Sequence, residues 1–349
     1  MQHLKSPTMI EWLITSTCNL RCKHCSTWKP GQKSAQLSLE KTNELIDEII
    51  KAKVFSLILS GGEPLLNDNV FYIINRLSDA KIRVNMPTNG LLITKEVAQK
   101  LKDVGVSTVQ ISIDGASSET HDDFRGVPGA FNTAVEAIRT LKNAGIKRVN
   151  VSTTVTKNNS VEIKEILKMA LDMKVNCYSL RACMPCGRGK RNYSDLKLSP
   201  EQWKEVLEFL LEQKKEIQGK MEFVSVEPLL LMLDKDLQTR TEDFSEDNFA
   251  SCGAGKTGCA IWPDGKVTPC AYIDQEAGNI HNQSLTDIWT NSPVFDIYRD
   301  YKKLVSGKCL QCEWKYMCTG GCKARSYGEF GTPSVPDPLC WMKDRAARI

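Results

Sequence analysis

The chain has 349 residues, of which 41% are hydrophobic and 25% charged, and this composition is typical of a globular protein of about two domains. It excludes disordered, collagen-like and small disulfide-rich proteins, and no apolar run approaches the roughly 18 residues of a membrane span. Lys and Arg exceed Asp and Glu by only four, scattered along the chain, so charge favours neither nucleic acid nor a membrane as partner.

The region from Met9 to Gly219 alternates short β-rich runs with segments of helical period, which predicts parallel βα units. Six strands are predicted: Met9–Ser16, Val54–Ser60, Ile82–Pro87, Thr108–Asp114, Lys147–Thr156 and Val175–Arg181. Ser199, Pro200 and Gln202 predict a capped helix start. Six such units make a partial (βα)6 barrel of the TIM type, in which chemistry lies on loops at the C-terminal ends of the strands.

Three regions are predicted along the chain: a barrel over 8–220, a bridging segment over 221–251 and a cysteine-rich domain over 252–345. The bridge has a helical patch at Pro228–Leu237 and an acidic, loop-like stretch at Thr241–Asn248. In the last region Gly and Cys are frequent and strands are short, as expected where metal fixes the backbone.

Fourteen cysteines stand out in a chain whose first residues, Met1–Pro7, lack the apolar stretch of a signal peptide. We therefore expect a soluble protein of the cytoplasm. In that reducing compartment disulfides are rare, so clustered cysteines are interpreted as metal ligands or catalytic thiols.

The first cluster is a C-x3-C-x2-C run formed by Cys18, Cys22 and Cys25, directly after the first predicted strand. Three thiolates on one loop can hold three irons of a four-iron, four-sulfur cluster and leave the fourth iron open for substrate or cofactor. The alternative is a zinc site completed by His24 or a distant ligand. His24 lies inside the turn, where reaching the same metal is difficult.

This loop resembles the hallmark of the radical S-adenosylmethionine (SAM) enzymes, and the resemblance covers most of the chain. It implies that the open iron binds the amino and carboxylate groups of SAM. Electron transfer into the sulfonium then releases a 5'-deoxyadenosyl radical that abstracts hydrogen from the substrate.

Further motifs follow later strands, where the family has its SAM contacts. Gly61 and Gly62 would allow close backbone approach, and Glu63 would accept hydrogen bonds from the SAM ammonium. The other residues that the resemblance implies bind SAM are Asn89, Ser112, Asp114 and Arg125. Ser112 and Asp114 would contact the ribose and Arg125 the carboxylate, although Asp114 could instead cap a helix and Arg125 could form a surface salt bridge.

Eight late cysteines resemble the SPASM extension of radical SAM enzymes, which holds two auxiliary four-iron clusters. The resemblance implies that the first is bound by Cys252, Cys270 and Cys322, with Cys259 as fourth ligand, and the second by Cys309, Cys312, Cys318 and Cys340. Cys259 lies too close to Gly265 for the family's primary position, and without it the first auxiliary cluster would have an open iron. Two zinc sites of a zinc-ribbon type are the alternative.

Two features of the sequence bear on which reaction of this family the chain catalyses. In sulfatase-maturating relatives an Asp follows the cysteine that is Cys270 here, and Ala271 at that position argues against their activity. Cys183 and Cys186 follow the sixth strand, where an accessible thiol could donate hydrogen to a substrate radical or ligate metal, unless both are loop residues without function.

The function expected first is modification of a ribosomally made peptide by crosslinking, thioether formation, epimerisation or oxidation. The segments from Phe124 to Gly129 and from Gly320 to Arg325 also resemble enzymes that modify tetrapyrrole side chains in haem biosynthesis. Oxidation or decarboxylation of a sugar-like molecule is a third alternative. A multi-cluster electron carrier is the non-enzyme alternative, but a carrier needs no open iron.

The expected cofactors are SAM and three 4Fe-4S clusters. The expected partners are a peptide or other bulky substrate and a reducing protein such as flavodoxin or ferredoxin. About eight residues precede the first strand, so peptide leader recognition would need a separate protein.

Overall fold

The computed structural model describes residues 4–29, 31, 34–224, 227–234, 244–245, 248–249 and 252–343. It contains one mixed sheet in the order β10-β9-β8-β1-β2-β3-β4-β5-β6-β7. The strands are β1 (Met9–Leu13), β2 (Ser56–Ser60), β3 (Arg83–Thr88), β4 (Thr108–Ser112), β5 (Val149–Val155), β6 (Cys177–Ala182), β7 (Glu222–Val224), β8 (Gly258–Ile261), β9 (Lys266–Thr268) and β10 (Gly278–Asn279).

All six predicted strands are present and pair in parallel in chain order, so the predicted α/β architecture is confirmed. The helices of this part are α1 (Leu39–Lys51), α2 (Val70–Asp79), α3 (Lys95–Asp103), α4 (Ser118–Arg125), α5 (Ala130–Ala144), α6 (Ile163–Asp172), α7 (Gly187–Arg191), α8 (Tyr193–Leu196) and α9 (Pro200–Glu216). Their apolar faces cover the outer side of the sheet in one large core.

Helix α9 begins as predicted. The Ser199 side chain accepts a hydrogen bond from the Gln202 backbone N–H, and the Gln202 side chain accepts one from the Ser199 backbone N–H. This capping box satisfies two donors at the helix start. Trp203 and Leu207 are then fully buried on the inner face.

The predicted bridge begins inside the sheet, because β7 pairs in parallel with β6. The helical patch is a single 3-10 turn at Pro228–Met232, and residues 235–237 lie outside the described residues. Most of the acidic stretch predicted at Thr241–Asn248 also lies outside them.

The C-terminal part joins the barrel through β8, which pairs in parallel with β1 and continues antiparallel into β9. Its helices are α10 (Leu285–Asn291), α11 (Pro293–Arg299), α12 (Tyr301–Leu304), α13 (Lys315–Cys318) and α14 (Lys323–Phe330). The Leu285 backbone N–H at the start of α10 donates to the Glu48 carboxylate of α1 at 2.6 Å. Among the described residues, no helix is long and apolar enough to cross a membrane.

Candidate active site

A cavity of about 1200 Å³ runs along the inner face of the barrel. Residues at the C-terminal ends of the strands and on the following loops line one end, among them Cys18, Gly61, Asn89, Ser112 and Arg181. Residues at the N-terminal ends of the strands, such as Arg83 and Arg148, line the other. The sequence motifs therefore gather at the end where barrels carry their chemistry.

Cys18, Cys22 and Cys25 all line this cavity, so the structure brings the first three cysteines together. The Leu20 backbone N–H donates to the Cys18 sulfur at 3.4 Å, and the Arg125 guanidinium donates to the Cys22 sulfur at 3.7 Å. Burial raises the pKa of both thiols, and these two donors oppose that rise. The donor set therefore fits an iron-sulfur cluster bound by three thiolates.

The end of α4 clamps this loop. The Arg21 and Lys23 backbone N–H groups donate to the carbonyls of Arg125 and Phe124 at 3.2 and 2.9 Å. The His24 ring stacks on Phe124 with centroids 4.4 Å apart and an angle of 9° between the rings. This stacking holds the His24 ring against the end of α4.

Gly61 and Gly62 are required by the backbone in front of Cys18. A Cβ atom on Gly61 would lie 2.3 Å from the Thr15 carbonyl oxygen, and one on Gly62 would lie 2.1 Å from that of Thr17. The N–H groups of Gly62 and Glu63 donate to these two carbonyls at 2.7 and 2.8 Å. Both glycines also line the cavity, so the turn after β2 packs against the approach to the cysteine loop and faces the expected SAM region.

Glu63 lies on the cavity wall with its carboxylate held by three donors. The Thr88 hydroxyl donates at 2.7 Å, the Asn89 backbone N–H at 2.9 Å and the Leu65 backbone N–H at 3.3 Å. Burial raises the pKa of Glu63, and these hydrogen bonds oppose the shift. A carboxylate has about four acceptor positions, so one stays available to a cationic ligand.

Asn89 and Ser112 also reach the cavity, from the ends of β3 and β4. The Asn89 side-chain NH2 donates to Asn19, inside the cysteine loop, at 2.8 Å, and its oxygen accepts from the Leu91 backbone N–H at 2.9 Å. Asn89 therefore connects the strand end to the cysteine loop.

The structure does not place Asp114 in either of its expected roles, ribose contact or helix cap. Asp114 is fully buried, accepts a hydrogen bond from the Thr154 backbone N–H at 2.7 Å and lies 2.5 Å from the Arg125 guanidinium. A carboxylate engaged by a buried guanidinium is not presented to a ribose, and Ser117 rather than Asp114 caps α4. Arg125 forms a buried ion pair instead of a surface one, and it remains on the cavity wall beside Cys22.

Cys183 also differs from expectation, because it is buried in a small apolar cluster with Phe124 and Leu196. Cys186 is half-buried at the start of α7. Burial, and then the charges of neighbouring thiols that include Cys25 and Cys322, raise the pKa of Cys186. Neither Cys183 nor Cys186 is among the described residues that line the cavity, which argues against hydrogen donation by either thiol.

In the C-terminal part, Cys252, Cys270 and Cys322 pack against the same small apolar cluster. Burial raises the pKa of Cys270 well above its ordinary value, and nearby Cys252 and Cys322 add to this rise. The structure therefore brings three of the four predicted residues together.

Cys259 is the exception. It lies on β8 directly beside Ile10 of β1, and both belong to the large core between the sheet and the helices. Neighbours in a parallel pair point to the same side of the sheet, so Cys259 faces the helix layer. The interpretation of Cys259 as the fourth ligand beside Cys252, Cys270 and Cys322 is not supported by this geometry.

Charge interactions also join members of the second late set, which the resemblance to the SPASM extension implies. Burial and the charges of Cys340 and Cys312 raise the pKa of Cys309 to about 11, and the charges of Cys340 and Cys309 act on Cys318. All fourteen cysteines are within the described residues, and none of them forms a disulfide. Among the described residues, no group of three or more His, Cys, Asp or Glu is arranged around a single metal ion.

A buried charged network that we did not predict lies between the two late sets. Arg325 is fully buried and pairs with Glu227 and Asp337, both at 2.6 Å. The Asp337 carboxylate also accepts the Cys322 backbone N–H at 2.6 Å. The sequence carries no local signal for it, because the partners are far apart along the chain.

Two cavity residues that sequence reasoning did not select are Glu11 and Tyr272. The Ser60 hydroxyl donates to the Glu11 carboxylate at 2.9 Å. Tyr272 follows Cys270 by two residues and contacts Arg181 of β6 through its hydroxyl. Glu11 could have been found from the sequence, because it is a charged residue between the apolar Ile10 and Trp12 of β1.

Comparison with known families gives two matches in this chain. The model of the radical SAM superfamily matches residues 12–170, and that of the SPASM iron-sulfur cluster-binding domain matches residues 252–313. The first match runs from Trp12 in β1 to Ala170 in α6, and the second begins at Cys252.

Two curated relatives match almost the whole chain. The AdoMet-dependent heme synthase of Methanosarcina barkeri is 35% identical over 343 residues, which are 96% of this chain and 96% of that relative. The mycofactocin maturase MftC of Mycobacterium tuberculosis is 29% identical over 341 residues, 97% of this chain and 83% of that relative.

A solved structure shares the fold. SuiB of Streptococcus suis, determined with bound S-adenosylmethionine, superposes with a TM-score of 0.79 at 19% identity and covers 97% of this chain and 78% of its own. A second structure of SuiB, bound to the precursor peptide SuiA, has a TM-score of 0.78 at 18% identity, over 97% and 77% of the two chains.

Proposed function

This chain belongs to the radical SAM superfamily and carries a SPASM domain, and from that premise we propose that it modifies side chains of a tetrapyrrole. It is an enzyme that binds SAM and iron-sulfur clusters. The proposal concerns its substrate, the number of clusters and the residues that hold them.

The observation that carries the proposal is the whole-length similarity to a relative named as a heme synthase. Tetrapyrroles of haem biosynthesis are planar anions, because their propionate side chains are ionised at neutral pH. Such a substrate needs a roomy cavity with positive charge near its mouth.

Positive charge near the cysteine loop supports this substrate class. The guanidinium groups of Arg188 and Arg191 lie 4.6 and 5.4 Å from the ring centroid of Trp28, three residues after Cys25. Arg181 lines the cavity itself. Guanidinium groups suit carboxylates because they donate two parallel hydrogen bonds.

Within the proposal, Cys18, Cys22 and Cys25 hold the SAM-binding cluster. When bound and reduced, SAM and this cluster supply a 5'-deoxyadenosyl radical that abstracts hydrogen from substrate. Glu63 would accept hydrogen bonds from the SAM ammonium, and Asn89 and Ser112 would orient its other polar groups. Arg125, beside the Cys22 sulfur, would neutralise charge on the cluster or the SAM carboxylate.

Two further clusters complete the proposed set of three. Cys309, Cys312, Cys318 and Cys340 give one site the usual four thiolates. Cys252, Cys270 and Cys322 give the other site three, which leaves one iron open unless Cys186, whose charge acts on Cys270, supplies a fourth. The cysteines form no disulfide, and this agrees with a cytoplasmic enzyme that takes electrons from a low-potential donor such as flavodoxin or ferredoxin.

Peptide modification, which we expected first from the sequence, is the second candidate. It is favoured by the 29% identity with the mycofactocin maturase over 97% of this chain. If the substrate is a peptide, we propose that a separate protein recognises its leader.

One assay distinguishes tetrapyrrole modification from peptide modification. The reconstituted enzyme, SAM and a reductant are incubated anaerobically either with iron coproporphyrin III or with candidate Cys-rich or Gly-rich precursor peptides encoded near its gene. The proposal predicts a new tetrapyrrole mass that appears together with 5'-deoxyadenosine. An unchanged tetrapyrrole beside a modified peptide would contradict it.

A further inference from the structure

Arg181 presents a guanidinium to the cavity without a carboxylate partner. It lies on β6 beside Thr154 of β5, and both residues line the cavity. In the part of the chain that the structure describes, no carboxylate oxygen is within 4.0 Å of this guanidinium. The Arg181 guanidinium contacts the Tyr272 hydroxyl and lies over the Tyr272 ring, 5.5 Å from its centroid.

Two arginines that are more deeply buried than the half-buried Arg181 differ in this respect. Arg125 pairs with Asp114, and Arg325 pairs with Glu227 and Asp337. Burying a guanidinium has a free-energy cost that an opposite charge offsets. Arg181 therefore has the hydrogen-bonding capacity for an anion that the protein itself does not provide.

Glu11 faces the same cavity but does not satisfy Arg181. The Glu11 carboxylate accepts a hydrogen bond from the Ser60 hydroxyl at 2.9 Å. It lies more than 4.0 Å from the Arg181 guanidinium, so the two groups do not form an ion pair. Burial raises the pKa of Glu11, and the more distant charge of Arg181 lowers it. The Arg181 donors stay directed at the cavity.

Tyr272 adds a hydroxyl to the same spot and comes from a different part of the chain. It follows Cys270 in the C-terminal region, whereas Arg181 precedes the loop that packs against the first cysteines. That loop approaches the first cysteine loop, because a Cβ on Gly187 would lie 2.4 Å from the Cys25 carbonyl oxygen. It also approaches α14, because a Cβ on Gly328 would lie 2.4 Å from the Pro185 carbonyl oxygen. The contact between Arg181 and Tyr272 therefore joins the end of β6, whose following loop packs against the first cysteine loop, to the segment that follows Cys270.

We propose that Arg181 and Tyr272 form the anchor for a carboxylate of the substrate. The guanidinium donates paired hydrogen bonds to the carboxylate, and the phenol hydroxyl donates a further one. The inference rests on the proposed function, in which the anchored group is a propionate of a tetrapyrrole. The carboxylate of SAM has the same chemistry, so the test measures both ligands.

The experiment uses reconstituted enzyme titrated with iron coproporphyrin III and with its tetramethyl ester, followed by the Soret band. SAM affinity is measured separately by equilibrium dialysis. The variants are Arg181→Met, Arg181→Lys and Tyr272→Phe, and iron content verifies that each is loaded. Arg148→Met is the matched control, because Arg148 lines the opposite end of the cavity and pairs with Glu222 at 2.6 Å.

Arg181→Met is expected to weaken binding of the free acid by about tenfold to a hundredfold, the effect of a charge-assisted pair. Tyr272→Phe, which removes one oxygen atom and keeps the ring, is expected to weaken it less. Arg181→Lys is expected to recover only part of the loss, and binding of the ester and the Arg148→Met control are expected to stay unchanged.

Equal binding of the acid by wild type and by both Arg181→Met and Tyr272→Phe would overturn the anchor while leaving the proposed function standing. Loss of SAM affinity with intact tetrapyrrole binding would reassign the pair to the cofactor and also overturn it. A wild-type enzyme that binds neither acid nor ester would contradict the proposed function together with the anchor.

Discussion

The Arg125 guanidinium lies 2.5 Å from the Asp114 carboxylate and 3.7 Å from the Cys22 sulfur. Asp114 follows β4, Arg125 ends α4 and Cys22 is on the first cysteine loop. One buried ion pair thus connects the barrel wall to the loop that carries the expected cluster. Its contribution to folding and to cluster retention is separable by mutation.

Asp114→Asn leaves Arg125 buried beside an uncharged partner. Breaking a buried pair in this way costs about 3 to 5 kcal/mol. We expect a loss of that size in the free energy of unfolding, measured by urea denaturation of the cluster-free protein. Glu136→Gln, which breaks an exposed pair with Arg139, is the control and is expected to change little. Equal effects of the two substitutions would contradict the prediction.

Gly62→Ala tests the backbone contact in front of Cys18. The new Cβ would lie 2.1 Å from the Thr17 carbonyl, so the approach to the cysteine loop must move. We expect the variant to lose about four irons per chain after reconstitution. Gly219→Ala is the control, because its added methyl group meets nothing within 4 Å and only the strain of its own positive φ remains. Full iron content in Gly62→Ala would show that the contact is dispensable.

His121 predicts a pH dependence of stability. Burial and the Arg125 charge lower its pKa to about 3, and its Nδ1 accepts the Asp114 backbone N–H at 3.1 Å. In the unfolded chain the His121 imidazole binds a proton with an ordinary pKa of about 6.5, so acid favours unfolding. The contribution of His121 to stability is therefore fully present above about pH 6.5 and is lost as the pH falls toward 3. Between pH 7 and 5 this single group removes about 2 kcal/mol.

His121→Asn keeps an acceptor near the Asp114 N–H and does not titrate. Urea denaturation at pH 7 and pH 5 is expected to show a smaller acid-induced loss in the variant than in wild type. Equal losses would mean that His121 is not responsible for the acid sensitivity.

Cys259 and Cys270 are expected to behave differently on substitution. Cys259 faces the helix layer, whereas Cys270 lies with Cys252 and Cys322. Cys259→Ala should keep the wild-type iron content and electron paramagnetic resonance spectrum, and Cys270→Ala should lose the first auxiliary cluster. Loss of that signal in Cys259→Ala would restore Cys259 as a ligand and contradict the strand register.

The local parts of the fold were predictable from the sequence. Apolar periodicity located all six barrel strands, and Ser199 with Gln202 located the start of α9. The spacing of Cys18, Cys22 and Cys25 predicted a common site because residues so close in the chain share one loop.

Long-range relationships were not predictable in the same way. The pairing of β8 with β1 joins residues about 250 positions apart, as in the bond from the Thr8 hydroxyl to the Thr257 carbonyl with a separation of 249. That register turns Cys259 away from the other cysteines. The Asp114 and Arg125 pair likewise depends on how α4 packs against β4, which no local pattern encodes.

The most direct test of the central claim is anaerobic reconstitution with iron and sulfide, followed by iron counting and electron paramagnetic resonance with and without SAM. Wild type is compared with a Cys18, Cys22 and Cys25 to Ala triple variant. The account predicts about twelve irons in wild type and about eight in the variant, with a SAM-perturbed signal in wild type alone. Zinc in place of iron, or a SAM-perturbed signal that survives in the variant, would contradict it.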